Sequence, residues 1–456
     1  MTVNSNELYD GLAAIVGIEN VTNLDFDRYS YSRDLSPARE RLASMIARPR
    51  STSEVAAIMR FANRNRLPVY VRGAGASHWA AWLPVEGGLL LDMYAMEDVI
   101  EIDSNNLTAT VQSGCTWYKL DRELRKKGLT YLSSEMGGPA MTVGGSVIKA
   151  GGGSYGATKF GTHGQCDVLG LEFVLPTGEI VRTGSRAYLG APPFRRYGIG
   201  PDLTGLLIGS EGTLGILTEA TLQVRPVPEA EDYASFTFDN WKDVMEVGDA
   251  ITRQFGDEIA YGFQAGEESN ALGAITATAH LYGYDKETLD YRSRKLRELC
   301  KKFNGKETDA NLSREYFGRV TSGLKGLFDQ GVWHFAGAGM IPIRRLPEFS
   351  EAWREIVARK YKFPRCTFGA WTFPRGWTVY GHLRYADPGE HELIMTISDE
   401  LNRRFTEMGI VTFGIGGPDG MLPFIRGRLG SYYELLRSMK KALDPNGILQ
   451  PGILVE

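Results

Sequence analysis

Between residues 143 and 183 the chain sets two glycine clusters, Gly144-Gly145 and Gly151-Gly152-Gly153, among Ser146, Ser154 and Tyr155. Glycine gives up more backbone freedom on folding than any other residue, so this density makes sense where main chain must press against a bulky ligand. An apolar strand pattern over 169–175 follows, then a Thr177-Gly178 turn and a second strand pattern over 179–183. Downstream, Gly209-Ser210-Glu211-Gly212-Thr213-Leu214-Gly215-Ile216 opens into another strand. Strands joined to glycine-rich turns in this way point to a ligand held by backbone.

At 456 residues the chain exceeds one typical core, and about 150 residues per domain gives two or three. With 43% hydrophobic and 23% charged residues it reads as an ordinary globular protein. A net charge of −4 speaks against a nucleic-acid partner, which would ask for a basic surface. Cys115, Cys166, Cys300 and Cys366 are scattered without a CxxC pair. Neither a disulfide framework nor a zinc site is expected, no metal is assigned, and a reduced, cytoplasmic setting fits best. The N-terminus lacks the basic and apolar regions of a signal peptide. No window approaches the ~20 apolar residues of a transmembrane helix, so direct membrane insertion is not expected.

Periodicity sets out two α+β units. A short helix is predicted over 6–15. Ser51 and Glu54 form a capping box ahead of Val55, Ile58, Met59 and Ala62 at helical spacing, and Pro68 ends that helix before a strand at 69–71. Strands at 89–92 and 107–111 and a helix over 117–127 continue the rhythm of an α+β domain. Arg225-Pro226-Val227-Pro228 marks a boundary. Beyond it strands are predicted at 233–238 and 332–341, and helices at 241–254, 291–303, 349–360 and 391–408. A hairpin, 367–373 with 378–385, turns at Pro374-Arg375-Gly376. The expected domains are 1–227 (core 45–227), 228–430, and a C-terminal segment 431–456.

Arg72-Gly73-Ala74-Gly75-Ala76-Ser77 follows a strand with no helix behind it, so it is not a Rossmann fingerprint. Successive N–H groups of such a loop can converge as a nest on a pyrophosphate. This loop, the stretch 137–155, the turn 209–216 and the terminal D-P-N-G-I-L-x-P-G together resemble one flavoprotein family. It is named after vanillyl-alcohol oxidase and p-cresol methylhydroxylase, and also holds the FAD subunit of glycolate oxidase and D-lactate dehydrogenases. The resemblance is close over 45–227 and the tail, and loose over 228–430. It implies an α+β fold: a two-subdomain FAD-binding domain of the p-cresol methylhydroxylase type plus an α+β substrate (cap) domain. Carried over residue by residue, it implies FAD contacts at Arg72, Gly73, Ala74, Gly75, Ala76, Ser77 and His78. It adds Gly137, Gly138, Thr142, Gly144, Gly145, Ser146, Gly151, Gly152, Ser154 and Tyr155, then Glu211, Gly212, Gly215 and Ile216, and Asn446 in the tail. Ala76 and Thr378 or Val379 stand where some members attach the flavin through histidine. Noncovalent FAD is therefore expected, although His78, His163, Cys115 and Cys166 are nearby.

In this family the substrate lies between flavin and second domain. Strand alternation puts Thr378, Tyr380, His382 and Arg384 on one face, and Trp377, Val379, Gly381 and Leu383 on the other. The first face offers a phenol donor, a base and an anion clamp, so Tyr380, His382 and Arg384 are catalytic candidates, with His78 and His334. The plain alternatives are a solvated sheet face and, for His334, a hydrogen-bonded core histidine. Trp79, Trp82, Trp333, Trp371 and Trp377 could line an aromatic pocket, or simply pack the core. The 2-hydroxy-acid members carry a metal pair in H-x-G-D-G-N-x-H and a later E-H-G-I-G. Here only His382 stands in the first stretch, and Thr412-Phe413-Gly414-Ile415-Gly416 lacks the glutamate. Tyr197 to Pro201 resembles the Y-G-x-G-P of phenol-oxidising members, whose Tyr-Arg pair is absent. The expected function is FAD-dependent hydride transfer from an alcohol or alkylphenol carbon to flavin N5, then to O2, a quinone or a cytochrome. The alternatives are a metal-free 2-hydroxy-acid dehydrogenase clamping its substrate with Arg384 or Arg345, and an electron-transfer subunit without its own substrate. A homo-oligomer stays open.

Overall fold

The computed structural model describes residues 5–77, 79–131, 140–150, 167–198, 200–255, 262–322, 332–373, 376–385, 387–412 and 418–455. His78, Gly137, Gly138, Gly151, Gly152, Ser154, Tyr155, His163 and Cys166 lie outside them.

Strands β1 (Val21–Thr22), β2 (Met45–Ala47), β3 (Val69–Arg72) and β4 (Leu89–Asp92) form a sheet in the order β1-β2-β4-β3. The β2–β4 and β3–β4 pairs are parallel. Helix Thr52–Asn65 makes the crossover from β2 to β3 and buries Val55, Ile58, Met59 and Ala62. Ser51 caps it by accepting from Glu54 N at 3.2 Å, while the Glu54 carboxylate reaches Arg50 N at 2.7 Å. The capping box therefore forms with its return bond one residue early.

Next come β5 (Val99–Asp103), β6 (Thr108–Gln112), β7 (Leu129–Thr130), β8 (Val168–Val174), β9 (Ile180–Arg182), β10 (Ile216–Gln223) and β11 (Arg225–Pro226). Five of them build an antiparallel sheet, β5-β6-β10-β8-β9, and β7 pairs with β11. Helix Val143–Lys149 packs against β10 and β6.

A seven-stranded antiparallel sheet follows. Its strands are β12 (Ala230–Phe238), β13 (Gly262–Glu268), β14 (Ile275–Gly283), β15 (Lys306–Thr308), β16 (Val332–Pro342), β17 (Cys366–Phe373) and β18 (Gly376–Tyr385), in the order β15-β12-β14-β13-β17-β18-β16. Helices Trp241–Ala250, Lys286–Lys302, Leu346–Trp353 and His391–Glu407 cover one face, burying Trp241, Leu296, Trp353 and Phe405 against Phe263, Ala277, Phe368 and Trp377. The other face turns toward the first two sheets, where the Trp79 ring lies 5.3 Å from Phe335. Neither β13 nor β14 was expected, because Gly262, Ala265, Gly266, Ala277 and Ala279 leave little apolar contrast between alternate positions. Among the described residues no helix is long and apolar enough to cross a membrane.

Candidate active site

The loop after β3, helix Val143–Lys149 and the turn before β10 meet around one open cleft. Its walls are Gly73, Ala74, Gly75, Ala76 and Ser77, then Thr142, Gly144, Gly145 and Ser146, then Glu211, Gly212, Gly215 and Ile216. Trp82, Ser113, Lys149 and Gln450 are also on its walls. Three segments far apart in the chain thus converge.

The glycines do different things. Gly75 has φ +73°, and a Cβ there would sit 2.4 Å from the Arg72 guanidinium. At Gly144 a Cβ would come within 2.6 Å of the Ser113 carbonyl oxygen, so this glycine lets the helix close on β6. At Gly145 a Cβ would meet only Thr142 Oγ1, at 3.0 Å, and otherwise enter open space. Two buried polar atoms on these walls, Ser113 Oγ and Trp82 Nε1, have no hydrogen-bond partner among the described residues. Room kept free of side chains and orphaned hydrogen-bonding atoms fit a polar, extended cofactor such as FAD.

Arg72 does not line the cleft. Its guanidinium lies 4.6 Å from the Tyr31 ring and 5.0 Å from the Trp82 ring, and donates to Ala74 O at 3.3 Å. It braces the loop through the Ala74 carbonyl. Asn446 is also elsewhere: it donates to Asn63 Oδ1 at 2.6 Å on the exterior, and the tail residue on the cleft is Gln450.

The segment before residue 45, to which the sequence assigned no role, holds the far end of the β3 loop. Leu35 N donates to Ser77 O at 2.9 Å, and Ala80 N to Asp34 Oδ2 at 2.9 Å. Burial raises the Asp34 carboxyl above its ordinary range, against the hydrogen bonds of Ser36 and Ala80. Lys149 Nζ sits 3.8 Å over the Trp79 ring. The nearby Cys115 thiol is buried and pushed up to about 12, so it stays protonated and is a poor candidate for a flavin linkage.

Opposite the cleft, β18 alternates as expected. Trp377, Val379 and Leu383 pack into the helix-covered core, while Thr378, Tyr380, His382 and Arg384 take the other face. That face is not solvated. Tyr380 and His382 are both 4% exposed, with ring centroids 4.2 Å apart. Phe335 meets His382 edge-on at 4.2 Å, and Trp371 lies 4.4 Å from Tyr380. Trp371 Nε1 donates to Gln264 Oε1 at 2.8 Å and to Tyr316 Oη at 3.3 Å. The Tyr316 and Tyr380 hydroxyls are hydrogen-bonded, and burial holds the Tyr380 phenol well above its ordinary range. Sequence reasoning missed Gln264, which β13 sets opposite Trp371 of β17, and Tyr316, which comes from helix Asn311–Ser322.

Three candidates are engaged within the protein. Arg384 is tied to Glu268 Oε2 at 2.5 Å, so its charge is already answered within the protein. Arg345 is similarly engaged with Glu348 and the Met408 carbonyl. His334 pairs in register with Leu383 and therefore faces the helices, where its Nε2 meets Ser398 Oγ at 2.8 Å. One step along β16, Phe335 points the other way; His334 is a core histidine. Among the described residues no group of three His, Cys, Asp or Glu side chains that could hold a metal comes together.

Residues 43–184 match the FAD binding domain, and 424–454 the FAD linked oxidases, C-terminal domain. The chain is 28% identical to glycolate oxidase subunit GlcD of Bacillus subtilis, over 98% of this chain and 96% of that one. It is 30% identical to a D-lactate dehydrogenase of Archaeoglobus fulgidus, over 94% and 96% respectively. Its fold matches substrate-bound p-cresol methylhydroxylase with a TM-score of 0.84, at 18% identity over 98% of this chain and 96% of that one. The match to 4-ethylphenol oxidase from Gulosibacter chungangensis has a TM-score of 0.82, at 18% identity over 99% and 97%. End-to-end kinship with enzymes of one flavin family, joined to that family's fold, leads to one conclusion: the chain belongs to the FAD-dependent oxidoreductases of the vanillyl-alcohol oxidase and p-cresol methylhydroxylase family, and FAD is its cofactor.

Proposed function

We propose that this enzyme oxidises an alcohol or alkylphenol with an aromatic body, bound between the cofactor cleft and the β16–β18 face. The observation that carries this reading is the aromatic wall of Phe335, Trp371, Tyr380 and His382, beside which Arg384 already answers Glu268. Such a wall favours a flat apolar ring and offers little to a free carboxylate. When bound, FAD supplies the acceptor for the hydride leaving the substrate carbon. His382 is the group on this face suited to take the hydroxyl proton, and Tyr380, kept neutral by burial, is suited to donate a hydrogen bond. Trp79, packed on Phe335, would keep water from the reacting carbon. O2, a quinone or a cytochrome would take the electrons onward.

A second reading has its own support. GlcD and D-lactate dehydrogenase are named for 2-hydroxy acids, and Lys149 supplies a cation on the cleft wall beside Trp79. In that case Lys149, not Arg384, would hold the carboxylate. Anaerobic mixing of the holoenzyme with benzylic alcohols, 4-alkylphenols and D-2-hydroxy acids, following flavin bleaching, decides between them. The aromatic reading expects fast bleaching by the first two classes and little change in Lys149→Met. Bleaching by hydroxy acids alone, lost in Lys149→Met, would establish the second. An enzyme reduced by none of them would be the electron-transfer subunit.

A further inference from the structure

Gln450 is 2% exposed and sits on the cleft wall between β3 and the turn before β10. Both ends of its amide are used: Oε1 accepts from Val71 N at 3.1 Å, and Nε2 donates to Glu211 O at 3.0 Å. The tail backbone runs beside β3, with Val69 N donating to Ile448 O at 2.7 Å and Gln450 N to Val69 O at 2.8 Å. From behind, Lys440 Nζ donates to Thr213 O at 2.9 Å and to Asp444 Oδ2 and Leu449 O at 2.6 Å. The staple therefore fastens the same turn to the same tail. Gln450 has φ +51° and Glu211 φ +53°, a left-handed backbone that residues carrying a Cβ seldom adopt. Strain of this kind persists only where the surroundings enforce it, and it gathers at ligand sites.

We propose that Gln450 is a positioning residue for the cofactor. It couples the β3 loop to the 209–216 turn, so docking of the C-terminal segment and FAD binding favour each other. The reciprocity follows from linkage: what the docked tail contributes to FAD affinity, bound FAD returns to tail docking. The proposal rests on this cleft being the FAD site.

The test titrates FAD into deflavinated protein, reading flavin fluorescence. Gln450→Met has similar length and neither hydrogen bond. Gln450→Glu keeps an acceptor for Val71 N–H but turns a carboxylate toward the Glu211 carbonyl. Both should weaken FAD binding about tenfold to a hundredfold, the effect of leaving a buried polar group unmatched. In Gln450→Glu the affinity should recover relative to wild type as pH falls through the glutamate titration, since a neutral carboxyl again donates to Glu211 O. Asn446→Ala, in the same motif but outside the cleft, should bind FAD as wild type does. Bound FAD should also slow amide exchange over 444–455 in wild type. Affinities of both Gln450 variants within twofold of wild type would overturn the proposal. If Gln450→Met does not fold, the pH recovery of Gln450→Glu decides alone, and its absence overturns the proposal. FAD binding undiminished by Gly145→Val would instead remove the cofactor from this cleft, and the proposal with it.

Discussion

Gly144 and Gly145 are adjacent, yet the structure makes opposite demands on them. A Cβ at 144 collides with Ser113, whereas one at 145 projects into the cleft. Gly145→Val is therefore expected to give folded apoprotein, checked by the ratio of flavin to protein absorbance and by thermal unfolding. Gly144→Ala should lose thermal stability with or without cofactor. His382→Ala should bind FAD normally but slow flavin reduction by ~10²–10⁴-fold, the usual range for a lost general base. Stopped-flow absorbance measures this, and a wild-type rate would remove His382 from the chemistry. Asp34 titrates in a known direction. Burial raises its folded-state pKa above the ordinary 3.8, so the neutral form is favoured on folding. Its contribution to stability is fully present below 3.8 and is lost as pH rises through the raised folded value. Relative to Asp34→Asn, the wild type should thus gain melting temperature as pH is lowered from 7 toward 4.

Among the elements, β18 is the one most plainly written in the chain. Its period of two separated Trp377, Val379 and Leu383 from Thr378, Tyr380, His382 and Arg384, and the structure keeps that separation. Alternation assigns faces but not partners. Glu268 on β13 and Thr367 on β17 share the environment of Arg384, because β17 lies between β13 and β18 in the sheet. A double-mutant cycle on Arg384→Ala and Glu268→Gln should return a coupling of about 1 kcal/mol or less, since Glu268 is 42% exposed in its side chain. KM for an aromatic substrate should move little in the same variants; a KM rise confined to carboxylates would restore Arg384 as a clamp. Helix Val143–Lys149 shows the opposite case. Two glycines in its first turn erase its propensity, and Thr142 capping with packing on β10 and β6 supplies what propensity withholds.

Across the whole molecule, the cleft beside the β3 loop draws on segments near both ends of the chain. Asp34 and Leu35 hold one end of the β3 loop, and Gln450 holds the strand that leads into it. The aromatic wall comes from β16, β17 and β18, closed against Trp79 of the first half. Acid precipitation of the holoprotein is expected to leave FAD in the supernatant, given Ala76 and Thr378 or Val379 at the family's linkage positions and a protonated Cys115. Flavin retained in the pellet would show a covalent bond.

Glycine density, strand alternation and capping signals were legible in the sequence because they are local: each expresses what one residue's backbone or one side chain's spacing allows. They sufficed for the two faces of β18 and for the cap of helix Thr52–Asn65. What the tertiary structure alone decided was which charges are already answered, which histidine faces the helices, and which tail residue reaches the cleft. Arg384, His334 and Gln450 could not be read from spacing. Their roles depend on Glu268, Ser398 and Val71, 116, 64 and 379 residues away in the chain. Only packing sets such distances.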